Sequence, residues 1–489
     1  MNLSGSNAWN YAGTASPVSA LIGNALAQTN FPPVTNFAAN QIIFTQQTGN
    51  AAQFYRLKTP LLIPVFFFAI FYDQLLEFSD SPTILVNGFV HANGSIDTGP
   101  GQGASQIFSQ TVTTAGTISS PANGGLASNY WSNEVYFNGN PPMITNTPPF
   151  VSPVGTNNPH VIIEIPPANE NPNSTLGQER FYNEADVVLI VSNTPAGTNP
   201  SVRITLQTSY NESEPGNDAA KELFYLTNAT PVFLKTNSVI QLPFLSLTNT
   251  FADQRESQTN MFVTQIDVGG YAAWLATNAI VAGKLEGIAL VLYVADRRNV
   301  GTNKLAVVRL VNGSELPYND SIGFTVATQN PLYVQGNYNV TVDDSHFALS
   351  LGSTTNGSTI PAALVADAVT ILSSNWRDGQ SGESYPVRNQ ATDMTVNAAL
   401  VVGNVPSTGT TAATYSGGVQ NLTRFLENWS TSDFVLNASL VCLFSSEMAT
   451  NQFQFPGAYF NPPARHWGFD VTFLNLSRLP PGTPFYSLP

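Results

Sequence analysis

Charge is scarce in this chain. Of 489 residues only 10% are Asp, Glu, Lys or Arg, well under the roughly 25% of an ordinary soluble protein. The surface must therefore be built from neutral polar side chains, chiefly Asn, Thr, Ser and Gln. Lys and Arg number 17 against 31 acids, for a formal net charge of −14. No basic cluster stands out, which excludes the electrostatic footprint of a nucleic-acid binder. Cysteine occurs once, as Cys442, so no intrachain disulfide can form. Its place in the apolar run 434–444 marks it as a small core residue rather than a nucleophile. Long hydrophobic runs are missing as well: the longest, 61–72, is broken by Pro64 and falls short of the ~20 residues needed to span a bilayer. It reads as a buried strand. The opening MNLSGSNAWNYAG has neither the basic start nor the apolar core of a signal peptide, so the sequence as given predicts either a cytoplasmic chain or a mature or truncated form. The histidines are His91, His160, His346 and His466, scattered without the spacing of a zinc motif.

What the chain does have is Asn-Gly and Asn-Ala steps inside strand-like runs. The stretch VNGFVHANGSI, 86–96, holds two Asn-Gly steps of the kind that usually mark a tight hairpin. Yet the alternation runs straight through them, and Ile84, Val86, Gly88, Val90 and Ala92 share one face. A glycine on such a face implies that something approaches it closely. The same pattern of apolar, amide, Gly or Ala, any residue, and large apolar returns as VQGNY at 334–338, VNAAL at 396–400 and LNASL at 436–440, with Ala366-Asp367-Ala368 as a weaker copy. The last four copies lie roughly 30 to 40 residues apart, the spacing of stacked repeat units. Stacking strand on strand would set Asn87, Gln335, Asn397 and Asn437 in one column, where each amide donates to one neighbour and accepts from the next. Gly88, Gly336, Ala398 and Ala438 would form a small-residue column beside it. A conventional β-sandwich shows similar short alternations and accounts for them equally.

Between 141 and 320 the pattern changes. ADVVLIVS (185–192) with SVRITLQTS (201–209), and GIALVLYVAD (287–296) with KLAVVRLVNG (304–313), read as two strand pairs. Tyr271, Trp274, Leu275 and Asn278 fall at helical spacing, residues 17–27 follow Ser16 as an N-cap, and Leu422, Phe425, Leu426 and Trp429 make an apolar stripe over 421–429. The fold class predicted is mainly β: a degenerate β-solenoid or β-helix-like stack with an inserted α+β module and a few short helices. Its parts are an N-terminal helix and loop segment at 1–60, the first part of the stack at 61–140, the inserted module at 141–320, and the remainder of the stack with a C-terminal cap at 321–489.

Catalytic signatures fail one by one. VDDSH at 342–346 gathers Asp343, Asp344 and His346 in the residue types of an exposed turn. Asp296 beside Arg297 and Arg298 reads as a salt-bridged turn, and DQRES at 253–257 as a polar connection. The densest chemistry lies in NPPARHWGFDVTFL, 461–474, where Arg465, His466, Trp467 and Asp470 fall within six residues. An aromatic beside Arg and His can stack on a sugar ring. Trp467 can also cover the end of the stack, where a repeat fold needs a cap. These four are therefore a recognition site or a cap, and no catalytic, cofactor-binding or metal residue is expected.

Taken in order, FAIFYDQLLEFSDSPTILVNGFVHANGSI (68–96), LTNTFADQRESQTNMFVTQIDVGGYAAWL (247–275), GFTVATQNPLYVQGNYNV (323–340), ALVADAVTILSSNW (363–376), GGVQNLTRFLENW (417–429) and YFNPPARHWGFDVTFLNLSRLPPGTP (459–484) resemble the ectodomains of large PilX-like proteins linked to type IV pili. The resemblance spans about residues 61 to 485 and is carried by the set of phrases. It implies a non-enzymatic structural or adhesive protein of the bacterial cell envelope or extracellular space, a minor pilin-like subunit in pilus assembly. Its implied partners are other pilus or envelope proteins, further copies of itself and surface glycans, with no nucleic acid and no cofactor. Such proteins usually begin with an apolar anchor helix; this sequence has none, so no membrane span is expected in the chain. The alternative is a β-solenoid glycan-binding protein or carbohydrate-active enzyme, resting on fold analogy. Three or more carboxylates converging in one groove would favour it.

Overall fold

The computed structural model describes 61–101, 103–119, 134–155, 158–193, 200–207, 222–227, 242–256, 258–278, 285, 289–317, 322–340, 359–384, 387–388, 390–408, 416, 418–452 and 459–488, with four short strands before residue 43. The helix expected at 17–27 and the turn at 342–346 lie outside the described residues. The chain divides into two units, 1–59 with 210–217, and 60–209 with 218–489. In the first, Asn2–Ser4 pairs antiparallel with Ala8–Asn10, and Val34–Phe37 with Asn40–Ile42.

The second unit is mainly β and is organised by a twelve-stranded sheet. Its spatial order is Met143–Ile144, Val112–Thr114, Phe89–Ala92, Phe68–Tyr72, Leu440–Cys442, Ala399–Val402, Ala362–Ala366, Phe324–Thr328, Val291–Asp296, Val187–Asn193, Pro200–Leu206 and Glu222–Thr227. The first ten run parallel and the last two join by antiparallel pairing. Chain order and spatial order therefore part company: an early strand, Phe68–Tyr72, sits mid-sheet against a late one, Leu440–Cys442.

Between visits to this main sheet the chain passes through others. Early strands reach the main sheet at residues 68, 89, 112 and 143, and the intervening strands form two three-stranded parallel sheets. Later strands reach it at 324, 362, 399 and 440. They alternate with a second sheet, whose parallel run is Gln258–Asp267, Lys304–Val311, Leu332–Gln335, Val369–Leu372 and Thr423–Phe425, and a third made of Met394–Asn397, Asp433–Asn437 and Ala464–Gly468. The sheets stay open rather than closing on one another.

The main-sheet strands Val291–Asp296, Phe324–Thr328, Ala362–Ala366 and Ala399–Val402 are buried at every position. Burial on both faces explains their near-continuous apolar runs. The stretches 145–155 and 158–186 touch main-sheet strands at several points. Along the way Phe150 stacks on His91 with ring centroids 4.0 Å apart, and the Tyr293 hydroxyl donates to the Ile163 carbonyl at 2.6 Å.

Each repeated phrase with strands on both sides is a corner. Asn87-Gly88 separates Ile84–Val86 from Phe89–Ala92, Ala398 separates Met394–Asn397 from Ala399–Val402, and Ala438-Ser439 separates Asp433–Asn437 from Leu440–Cys442. The flanking strands belong to different sheets. A Cβ on Gly88 would lie 2.6 Å from a ring carbon of Phe469 and 2.9 Å from the Ala69 Cβ, so the close approach implied by the glycine is present. Gly336 is glycine for another reason. Its φ is +79°, while the nearest atom to an added Cβ, on Ser374, is 3.9 Å away, so backbone conformation sets the residue.

Several expectations are corrected. Residues 141–320 are no module apart, because Val187–Asn193 and Val291–Asp296 join the main sheet while Gln258–Asp267 and Lys304–Val311 join the second. The hairpin Val187–Asn193 with Pro200–Leu206 forms, and so does the helix Val268–Thr277, N-capped by Asp267 accepting from the Gly270 amide at 2.8 Å. Val291–Asp296 and Lys304–Val311 do not pair, since the intervening turn carries the chain from one layer to another. Nor is 421–429 a helix: Thr423–Phe425 is a strand beside Val369–Leu372. Phe425 and Trp429 pack into the large core and Leu426 into a smaller one, so burial on both sides of a strand imitates a helical stripe. Among the described residues no helix is long and apolar enough to cross a membrane.

Candidate functional site

The amide column has a different membership from the one expected. Val396 aligns with Tyr338 on one side and Leu436 on the other, so Asn339, not Gln335, stands beside Asn397. Asn339 Nδ2 donates to the Asn397 carbonyl at 2.7 Å, Asn397 Nδ2 donates to the Asn339 carbonyl at 2.9 Å, and Asn437 Nδ2 donates to Asn397 Oδ1 at 2.7 Å. Gln335 instead ends a strand of the second sheet and donates to the Trp376 carbonyl at 3.3 Å. Asn87 clasps Phe469, accepting its N–H at 2.7 Å and donating to its carbonyl at 3.4 Å. The pattern is apolar at both ends, so it could not set the register. In the small-residue column Ala398 and Ala438 are buried at their corners, while Gly88 and Gly336 lie elsewhere.

The phrase 461–474 places Ala464–Gly468 parallel to Asp433–Asn437, with Trp467 opposite Leu436. Trp467 is half-buried and does not cap the stack, whose main sheet ends at Met143–Ile144 and Glu222–Thr227. Alternation splits the four residues. His466 Nε2 lies 2.8 Å from Asp433. Asp470 caps the turn Val471–Leu474 by accepting from the Thr472 amide at 2.9 Å, and burial pushes its carboxyl above the ordinary range. Arg465 and Trp467 share the other face. The Arg465 guanidinium sits 5.4 Å from the centroid of the Phe425 ring, and both residues line a narrow apolar pocket of about 50 Å³ with Ile84, Phe434, Leu436 and Leu440.

A second site lies where the stretch 158–164 meets the corner between Ala362–Ala366 and Val369–Leu372. Asp367 occupies that corner, buried, and its carboxylate accepts the amides of Glu447 at 2.6 Å, Met448 at 3.0 Å and Ala449 at 2.8 Å. Burial alone would raise its pKa, but the hydrogen bonds from His160 and these three amides hold it below the usual range. His160 belongs to the 3-10 turn Pro159–Ile163, whose N-cap Asn158 accepts the His160 amide at 3.1 Å. The ring is wedged so that Nε2 lies 3.2 Å from Asp367 Oδ1, while Nδ1 lies 2.7 Å from Glu164 Oε1 and 3.6 Å from Glu447 Oε2. Burial would lower the imidazole pKa; hydrogen bonds to Asp367 and Glu164, with the charges of Asp367 and Glu447, raise it.

This cluster opens on a cleft of about 780 Å³ walled by Pro166, Tyr182, Arg203, Arg297 and Met448. Arg203 carries a buried Nε that has no hydrogen-bond partner among the described residues. The turn expected at Asp296 forms with one arginine only: Arg298 bridges Asp296 at 2.6 Å, leaving Arg297 to the cleft wall. In the polar connection Asp253, Arg255 and Glu256 are buried, with Tyr333 donating to Asp253 at 2.7 Å and Glu256 paired with Arg424 at 2.9 Å. Of the cleft cluster, the sequence offered one usable signal, the i, i+4 spacing of His160 and Glu164; Asp367 and Glu447 arrive from distant parts of the chain. Compared with known proteins, the chain matches no family model, no curated protein and no solved structure.

Proposed function

We propose that the chain is a non-enzymatic structural or adhesive protein of the bacterial cell envelope or extracellular space, built as an open β-solenoid and acting as a minor pilin-like subunit in type IV pilus assembly or adhesion. The observation that supports this reading is the run of ten parallel strands in which early and late parts of the chain share one sheet. In such a stack each layer rests on its neighbours, so the fold can be built up repeat by repeat. Much of the buried polar chemistry is spent on holding it: the Asn339–Asn397–Asn437 column secures a corner, and the Asp253, Glu256 and Arg424 group braces the second sheet. Glycan binding is a second reading, favoured by Arg465 and the half-buried Trp467 lining one pocket. Antibody labelling of intact and permeabilised producing cells tests the location, and incubation of the purified chain with polysaccharides tests the chemistry. Labelling of intact cells without sugar release is expected. Labelling only after permeabilisation, or turnover of a polysaccharide, would sink the structural reading, and glycan retention lost in Trp467→Ala would establish the second.

A further inference from the structure

We propose that His160 Nδ1, Glu164 and Glu447 bind one zinc ion at the mouth of the cleft. The inference does not depend on the structural role above. It starts from Asp367, which is fully buried and already accepts three backbone amides, so it meets His160 as an ionised acceptor. Nε2 must then carry the ring proton, and in the neutral imidazole the lone pair of Nδ1 points at two carboxylates. Nitrogen and carboxylate oxygens so close call for a positive charge between them, which is either a second ring proton or a metal ion that displaces that proton on binding. A buried carboxylate that orients a histidine through one nitrogen while the other meets a metal is the arrangement used to fix metal-binding imidazoles.

The donor set and distances fit zinc. Zinc takes histidine nitrogen and carboxylate oxygen at about 2.0–2.2 Å in a tetrahedral site, which puts neighbouring donors about 3.3–3.6 Å apart. His160 Nδ1 and Glu447 Oε2 are already 3.6 Å apart, and Glu164 Oε1, at 2.7 Å, has to withdraw by less than an ångström. It can, because the Glu164 side chain is 34% exposed and that of Glu447 49%. Glu447 is also aimed: Asn158 Nδ2 holds its Oε1 at 2.9 Å, leaving Oε2 for the ion. Two carboxylates and a neutral imidazole cancel the zinc charge, and the fourth position faces the cleft. Three protein ligands with one open position is the pattern of a site that can take up a further ligand.

The test uses the full chain, stripped with EDTA and titrated with zinc chloride by calorimetry at about pH 7.5, with magnesium and calcium in parallel. One zinc per chain is expected, with a raised melting temperature and no comparable response to magnesium. Cobalt in place of zinc should give the visible absorption of a tetrahedral site. The His160 ring is buried, so His160→Ala can fail by misfolding; Glu447→Gln changes a half-exposed side chain and carries the decision. It should keep the metal-free melting temperature and weaken zinc binding at least about tenfold. Lack of saturable binding at millimolar zinc, or unchanged affinity in a folded Glu447→Gln, would overturn the site.

Discussion

At 86–90 and at 396–400 the chain turns between sheets on nearly the same five residues, VNGFV and VNAAL, but the two corners are held differently. In the early one, Asn87 grips the backbone of Phe469 and Gly88 makes room for its ring. In the late one, Asn397 bonds to Asn339 on one side and Asn437 on the other, and alanine suffices at the bend. The difference lies in the neighbour. The late corner rests on others of its own kind, so amides can bond along the column; the early corner meets a segment arriving from near the C-terminus. A repeated phrase therefore encodes the bend, and whatever chain comes alongside decides the partner of its amide.

The largest effect should come from the middle of the column. Asn397→Ala removes both of its side-chain bonds and strands the buried Asn437 amide, at a cost of about 3 kcal/mol. Asn87→Ala, measured by the same denaturant titration, should cost closer to about 1 kcal/mol. Equal losses would mean that the column adds nothing beyond single bonds. Next, Gly88→Val should destabilise by roughly 1–3 kcal/mol through overpacking against Phe469 and Ala69. Adding Phe469→Ala, which empties the contested space, should return part of that loss, and a Gly88→Val melting temperature equal to wild type would refute the close packing.

The last comparison concerns the second Asn-Gly step. Asn93 donates to Asp73 and to the Phe150 carbonyl, the latter at 2.8 Å. Burial raises the Asp73 carboxyl to about 6 despite hydrogen bonds from Asn93 and Tyr486. The folded value lies above the unfolded one, so this contribution to stability is complete below about pH 4 and is lost as pH climbs through about 6. Asp73→Asn should flatten that decline, by no more than about 2 kcal/mol once partial exposure is allowed for. The late column is made of neutral amides and should show no such slope. Denaturation midpoints collected from about pH 4 to 7 for wild type, Asp73→Asn and Asn397→Ala would separate the two corners.

Strand character and the bends were legible because both are local: alternation places side chains, and small residues mark where another chain presses in. Sheet order was not legible, since nothing near Phe68–Tyr72 announces that Leu440–Cys442 will lie against it. The stripe at 421–429 misled because a strand with cores on both sides buries nearly every residue, as a helix face would. The cleft cluster escaped for a related reason. His160 and Glu164 offer only an i, i+4 spacing, and Asp367 and Glu447 join them only where 158–164 meets a corner of the fold.

The joint between Phe68–Tyr72 and Leu440–Cys442 also sets an order in time. Ser439 Oγ donates to the Phe68 carbonyl at 2.6 Å across 371 positions of chain, and the ladder beside it joins residues 370 positions apart. The early strand therefore keeps one open, apolar edge until residues 440–442 have been made, and such an edge is a template for wrong partners. Within the twelve-stranded sheet this seam is the last to close during synthesis, and a chain stopped short of residue 440 would leave the ribosome with it bare.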